Sequence, residues 1–126
     1  FRKDKGLFYY KHIGEQMTYV IDIDGTICTK QNELLGGDYT GTKPLVNRIN
    51  KINSLYEEGH EIIYMTARGM GRNKNNPQAA IQGFYAFTVE QLKSWGCKYH
   101  QLFLGKPAAD FYIDDKGVSD ADFFTD

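Results

Sequence analysis

Two carboxylates one residue apart, Asp22 and Asp24, close the apolar run that contains Tyr19-Val20-Ile21. Residues two apart on an extended chain point the same way. The pair therefore concentrates negative charge at the edge of a core, where like charges repel and lose hydration. A bound cation is the obvious compensation. Gly25 follows, and a glycine lets the backbone turn sharply and approach a ligand. Taken alone, Asp-x-Asp-Gly is as readily an Asx-type turn ending a strand as a site. Three more elements share that ambiguity. Thr66, in Met65-Thr66-Ala67-Arg68, brings a hydroxyl that can donate to an anionic oxygen, or is a polar strand-to-loop residue. Lys106, in Gly105-Lys106-Pro107, brings an ammonium, or is a solvated lysine. Asp114-Asp115, after Ile113, brings a second acidic pair, or is a polar cap on a strand.

The elements that must hold these residues are legible as a pattern. Thr18 to Ile23 is a short, β-branched apolar run that suits a strand covered on both faces. Pro44 opens a helix whose apolar positions Leu45, Ile49, Ile52 and Tyr56 share a face, and Gly59 stops it. Glu61 to Met65 is a second buried strand. Gly69 to Ala86 reads as a long loop, followed by a short helix from the capping box Thr88-Val89-Glu90-Gln91 to Gly96, with Phe87 and Leu92 as its hydrophobic staple. Tyr99 to Leu104 and Phe111-Tyr112-Ile113 are the third and fourth strands. Strands alternating with helices predict a parallel α/β sheet. Every residue named above then lies at or just past a strand's C-terminal end, the edge where open α/β sheets bind ligands.

Taken together, Asp-x-Asp, Thr, Lys and Asp-Asp in that order form a far more specific pattern than any one of them. From Tyr19 to Asp115 the chain resembles the haloacid dehalogenase superfamily of phosphohydrolases. Lys43-Pro44, Glu58-Gly59-His60-Glu61, Thr66-Ala67-Arg68-Gly69, Gln91-Leu92-Lys93-Ser94-Trp95-Gly96, Lys98-Tyr99-His100 and Gly105-Lys106-Pro107 extend the likeness. They are similar to a small capless, phosphatase-like bacterial type associated with capsule or surface-sugar biosynthesis. The resemblance implies a three-layer α/β sandwich with a Rossmann-like parallel sheet and no cap domain, its first strand lying between the second and the fourth. Asp22 would be the nucleophile that forms an aspartyl-phosphate, and Asp24 the general acid and base. Thr66 and Lys106 would bind phosphoryl oxygens. Magnesium would be held by Asp22, the Asp24 carbonyl and Asp114, with Asp115 orienting Lys106 or a metal-bound water. Gly25, Thr26, Ala67 and Arg68 would line the substrate, a small phosphorylated metabolite such as a sugar phosphate. With no cap, the Gly69–Phe87 stretch, carrying Phe84 and Tyr85, is expected to wall the site, and a neighbouring subunit of a homo-oligomer could supply another wall.

Composition agrees with a globular domain. The chain has 126 residues, 41% hydrophobic and 25% charged, with a net charge of -1. That balance gives no field to draw nucleic acid or an anionic membrane surface. No apolar run is long enough to span a bilayer, and no secretory leader is evident. Cys28 and Cys97 are too few for a disulfide framework and fit packing roles in a reducing cytoplasm. His12, His60 and His100 show no metal-ligand spacing. Residues 1–17 are assigned to an N-terminal extension of unknown role, and residues 18–126 to the domain. Two rivals use similar residues. A phospho-acceptor signalling domain places its acceptor aspartate after an acidic pair, whereas here Lys106 precedes the last acidic pair. A non-catalytic binding domain of a larger chain would not need the full motif set.

Overall fold

Alternation of side chains along the strands explains where the core forms. The structure, a computed structural model, describes residues 15–31 and 37–125. Strand β1 (Thr18–Asp22), β2 (Glu61–Thr66) and β3 (Gln101–Leu104) form one parallel sheet in the order β1-β2-β3. In register, Ile21 lies beside Tyr64, which lies beside Leu102, and Thr66 lies beside Leu104. These positions share one face of the sheet. All of them are buried, and against them pack Ile49 and Ile52 of helix α1 (Val46–Glu57), Leu92 of helix α2 (Pro77–Ser94) and Phe124 of the short helix α3 (Asp120–Phe124).

Topology explains why the helices share that face. Parallel strands laid down in order need crossovers of the same hand, and right-handed crossovers put α1 and α2 on the same side. The described residues therefore form two layers. On the other face, Val20 is 61% exposed and Phe103 46% exposed, so the expectation of strands covered on both faces does not hold there. No helix among the described residues is long and apolar enough to cross a membrane.

Three sequence-based expectations need correction. The stretch from Gly69 is not a long loop. It makes a 3-10 turn at Gly71–Asn73 and enters α2 at Pro77. Asn76 caps that helix, its side chain accepting from the backbone N–H of Gln78 at 3.0 Å and of Ala79 at 3.3 Å. Asn followed by Pro at the first helical position is a strong start; the polar residues beyond it and Gly83 obscured the periodicity. Thr88 is then no capping residue but a fully buried mid-helix side chain. Second, Phe111-Tyr112-Ile113 is not a strand. Phe111 is 83% exposed and Ile113 95% exposed, and the local turn around them is set by the Tyr112 hydroxyl, which donates to the Pro107 carbonyl at 2.5 Å and accepts from the Ala109 N–H at 3.2 Å. Third, β1 accordingly lies at the edge of the described sheet, not between the second and fourth strands.

The C-terminal helix α3 was not foreseen. Ser119 caps it, Phe124 enters the core, and Arg48 ties it to α1 through Asp120 at 2.7 Å. Of the expected N-terminal extension, residues 1–14, including His12, lie outside the described residues.

Candidate active site

The C-terminal ends of β1, β2 and β3 meet at a cleft of about 360 Å³. Asp22, Asp24, Thr66, Ala67, Arg68 and Lys106 all contribute to its lining, as the sequence pattern expected. The chain reaches this arrangement through tight local turns. After β1, Gly25 adopts a φ of +82°, and a Cβ there would stand 2.6 Å from the Lys30 Cε atom that lies across it. The backbone of Thr26 and Ile27 closes back onto the Ile23 carbonyl at 3.0 and 2.9 Å. After β3, the Lys106 N–H donates to the Thr66 carbonyl at 3.2 Å, so Lys106 leaves the sheet beside the end of β2.

The two carboxylates of the first motif occupy different surroundings. Asp22 faces Lys106, whose Nζ is 3.5 Å from its Oδ1, and its side chain keeps 35% exposure. Burial pushes its carboxyl above the usual carboxylate range, the Lys106 charge pulls it back, and the Asp24 charge adds to the rise. Lys106 also rests over the Tyr112 ring, 4.2 Å from its centroid.

Asp24 is gripped by Arg68. Its Oδ2 accepts from Nε at 2.9 Å and its Oδ1 from Nη2 at 3.0 Å, a two-pronged contact. Thr66 Oγ1 donates to Oδ2 and the Cys28 thiol to Oδ1, each at 3.5 Å. The Arg68 side chain is wholly buried, while Asp24 keeps 22% exposure toward the cleft. The third guanidinium nitrogen, Nη1, donates to Thr88 Oγ1 at 3.3 Å, and the Tyr39 ring lies 4.7 Å from the guanidinium carbon. Arg68 therefore points inward at Asp24. Its side chain, expected to line the substrate, is instead shut away from solvent.

Other expected residues fall elsewhere. Asp114 and Asp115 are exposed and are not among the described residues that line the cleft. Asp114 Oδ1 instead accepts from the backbone N–H groups of Lys116 at 2.7 Å and Gly117 at 2.5 Å, a local Asx turn. Gly25 and Thr26 lie behind the lining, the Thr26 carbonyl accepting from Arg48 at 3.1 Å. The Gly69–Phe87 stretch contributes nothing to the lining either. Gly69, with a φ of +77°, passes so close to α2 that a Cβ would stand 2.6 Å from the Phe84 ring. Phe84 packs edge-on to Tyr39, 5.1 Å between ring centroids, behind the site.

The walls come instead from Tyr39, Lys30, Gln31 and Tyr112, none of which the sequence marked. Tyr39 is the unusual one. It is bulky yet holds a φ of 71°, a left-handed conformation that costs such a residue energy. Bonds from the Gln91 amide (2.9 Å) and the Thr42 hydroxyl (2.9 Å) to its carbonyl hold it there, and its own hydroxyl accepts from the Gly69 N–H at 3.0 Å. Only Thr42 is local; Gly69 and Gln91 lie 30 and 52 positions away, so no local signal in the sequence announces such a residue.

Magnesium, which the resemblance implies, needs a set of oxygen donors. Asp22 and Asp24 stand at the cleft, but Asp114 does not join them, and among the described residues no three His, Cys, Asp or Glu side chains gather as a metal group. The set of Asp22, the Asp24 carbonyl and Asp114 therefore does not fit this arrangement, because Asp114 lies away from the cleft. His60 and His100 accept from the backbone N–H groups of Met17 and Ile62 through Nδ1, both at 3.0 Å, so they pin the starts of strands far from the cleft. Cys28 is fully buried and its thiol is pushed up to about 12 by burial and then by the Asp24 charge, which makes it inert.

No family model matches this chain. No curated protein matches it either. A crystal structure of a structural-genomics target from Vibrio cholerae is similar to it, with 26% identity, a TM-score of 0.77, and coverage of 87% of this chain and 89% of that one. A likeness spanning nearly the whole of both chains agrees with an α/β fold with a parallel sheet for this chain.

Proposed function

We propose that the protein is a phosphomonoester hydrolase of the haloacid dehalogenase type, acting in the cytoplasm on a small phosphorylated metabolite, with a sugar phosphate as the expected class. The observation that carries this reading is the pairing at one cleft of a carboxylate facing an ammonium, Asp22 and Lys106, with a second carboxylate two residues on, Asp24. A capless, Rossmann-like α/β domain is the fold proposed with it. A cleft of about 360 Å³ suits a small ligand.

In the first step, an Asp22 oxygen attacks phosphorus while the bond from phosphorus to the ester oxygen breaks. The electron pair leaves with that oxygen, which takes the proton carried by Asp24, and the alcohol departs. In the second, Asp24 accepts a proton from water as the water oxygen attacks the same phosphorus. The bond from phosphorus to Asp22 breaks, which releases inorganic phosphate and restores Asp22. Splitting one displacement into two lowers the barrier to each. Lys106 places positive charge beside the nucleophile, where the phosphoryl oxygens must come, and charge stabilisation of that kind carries much of phosphoryl-transfer catalysis. Thr66 serves the site at its floor, its hydroxyl turned toward Asp24.

The test is a screen of phosphorylated metabolites with magnesium, with excess chelator, and with Asp22→Asn as control. Turnover by the wild type and its loss in the variant are expected. A wild type that hydrolyses none of them, or an acyl-phosphate that forms and persists without turnover, overturns the reading.

A further inference from the structure

We propose that Arg68 is a positioning residue that holds Asp24 in the orientation needed to pass a proton to the leaving group. The inference rests on the phosphatase reading above and assigns the buried Arg68 a role within it.

A carboxylate offers four lone-pair sites on two oxygens. Arg68 takes one on each, through Nε at 2.9 Å and Nη2 at 3.0 Å. A planar fork meeting a planar carboxylate in this way fixes its plane as well as its distance. What remains of Asp24 is the part that is 22% exposed, on the cleft side. The Thr66 hydroxyl and the Cys28 thiol approach the other two sites only at 3.5 Å, so the carboxylate stays open on the cleft side, where the substrate would sit. Proton transfer demands such placement, since a misplaced group loses much of its effect.

The clamp can hold Asp24 only if Arg68 is itself immobile, and each of its surfaces is accounted for. Nη1 is anchored on Thr88 Oγ1 at 3.3 Å, in the middle of α2. One guanidinium face is covered by Tyr39. The Arg68 N–H donates to Thr66 Oγ1 at 3.0 Å, which ties the start of the side chain to the end of β2. Tyr39 is in turn locked by Gln91, Thr42 and Gly69. A solvated arginine at a strand end would need none of this. Three separate elements, β2, α2 and the loop carrying Tyr39, converge on one cation whose charged partner among the described residues is Asp24.

The experiment exploits the leaving group. An alkyl phosphate expels a poor leaving group and needs the proton from Asp24, whereas p-nitrophenyl phosphate expels a stable phenolate and does not. The wild type, Arg68→Met, Arg68→Lys, Thr88→Val and Asp24→Asn are compared on both substrates by kcat/KM, which reports the steps up to departure of the leaving group and not the later hydrolysis that Asp24 serves with either substrate. Arg68→Met is expected to lower kcat/KM on the alkyl phosphate about 100-fold and on p-nitrophenyl phosphate by no more than about threefold. Arg68→Lys should recover little, because an ammonium cannot form the fork. Thr88→Val, which only loosens the anchor and keeps the shape of α2, should show the same selective loss at about three- to tenfold. In a cycle with Asp24→Asn, Thr88→Val should then add nothing, because the group it helps to place is gone. Thr88→Val decides the matter even if the Arg68 variants do not fold. Equal losses on the two substrates, or a Thr88→Val loss that persists undiminished on the Asp24→Asn background, overturn the positioning role and leave the phosphatase reading intact. A wild type inactive on both substrates overturns that reading and this one with it.

Discussion

The chain carries two acidic pairs that look alike on paper, Asp22 with Asp24 and Asp114 with Asp115, and the structure treats them in opposite ways. The first pair ends a strand whose next-door neighbour, β2, delivers Thr66 and Arg68, and whose cleft receives Lys106 from the end of β3. Each member acquires a cation and is partly withdrawn from water. The second pair lies exposed in a stretch without regular structure, where Asp114 serves its own backbone. What separates them is the supporting sheet. A carboxylate becomes chemically distinctive when tertiary neighbours desolvate it and oppose its charge, and residue type alone does neither.

Substitution gives the widest separation of the two pairs. Asp22→Asn should lower kcat by on the order of 10⁴-fold or more, as removal of a nucleophile does. Asp114→Asn, at an exposed position, should leave kcat/KM within about twofold. A loss at Asp114 as deep as that at Asp22 would break the contrast, and would mean that the stretch after Pro107 joins the cleft in the working enzyme.

The contrast within the first pair comes next. Arg68 is shut in the core against Asp24, which keeps 22% exposure, whereas Lys106 is 23% exposed opposite Asp22, which keeps 35%. Arg68→Met strands a buried carboxylate and should cost about 3 kcal/mol in urea unfolding. Lys106→Met should cost less than about 1 kcal/mol, as breaking half-solvated ion pairs does. Equal costs would show that burial does not distinguish the two pairs.

Asp22 itself should reveal its burial through pH. Its folded-state carboxyl titrates above the usual range, so its proton is bound more tightly in the native state than in the unfolded chain. The stability this lends is fully present below the ordinary carboxylate value and is lost as pH rises through the raised folded value. Without divalent cations, Asp22→Asn should therefore melt higher than wild type by about 2–4 °C at pH 7.5, with the gain fading toward pH 4. A gain that grows on acidification would contradict the sign.

The smallest effect concerns the thiol beside the pair. Cys28, pushed up to about 12, should react with iodoacetamide at pH 7.5 about 100-fold more slowly in the native protein than in urea. Rapid native labelling, read by mass spectrometry of the Cys28 peptide, would place it outside the core.

Much of this was legible from residues alone. The strands at Thr18–Asp22 and Glu61–Thr66, the helix after Pro44, and the gathering of Asp22, Asp24, Thr66 and Lys106 at one sheet edge follow from period, apolar runs and punctuation, all local properties of the chain. Where local signals conflicted, the reading failed. Thr88-Val89-Glu90-Gln91 has the spacing of a cap, yet it lies inside α2, because Asn76-Pro77 starts that helix eleven residues earlier. Phe111-Tyr112-Ile113 has the composition of a strand, but a strand exists only with a partner, and none of the described strands pairs with it.

The inward turn of Arg68, the locking of Tyr39 and the exposure of Asp114 belong to tertiary structure alone. The first two are decided by groups far apart in the chain, Arg68 and Asp24 at a separation of 44, Tyr39 and Gln91 at 52. A buried cation must find a carboxylate or unfold the region around it, but which carboxylate it finds depends on how three strands and two helices stack. Residue types and local spacing set out the chemical groups. Packing chose which of them face each other, because desolvation and charge opposition act through space and not along the chain.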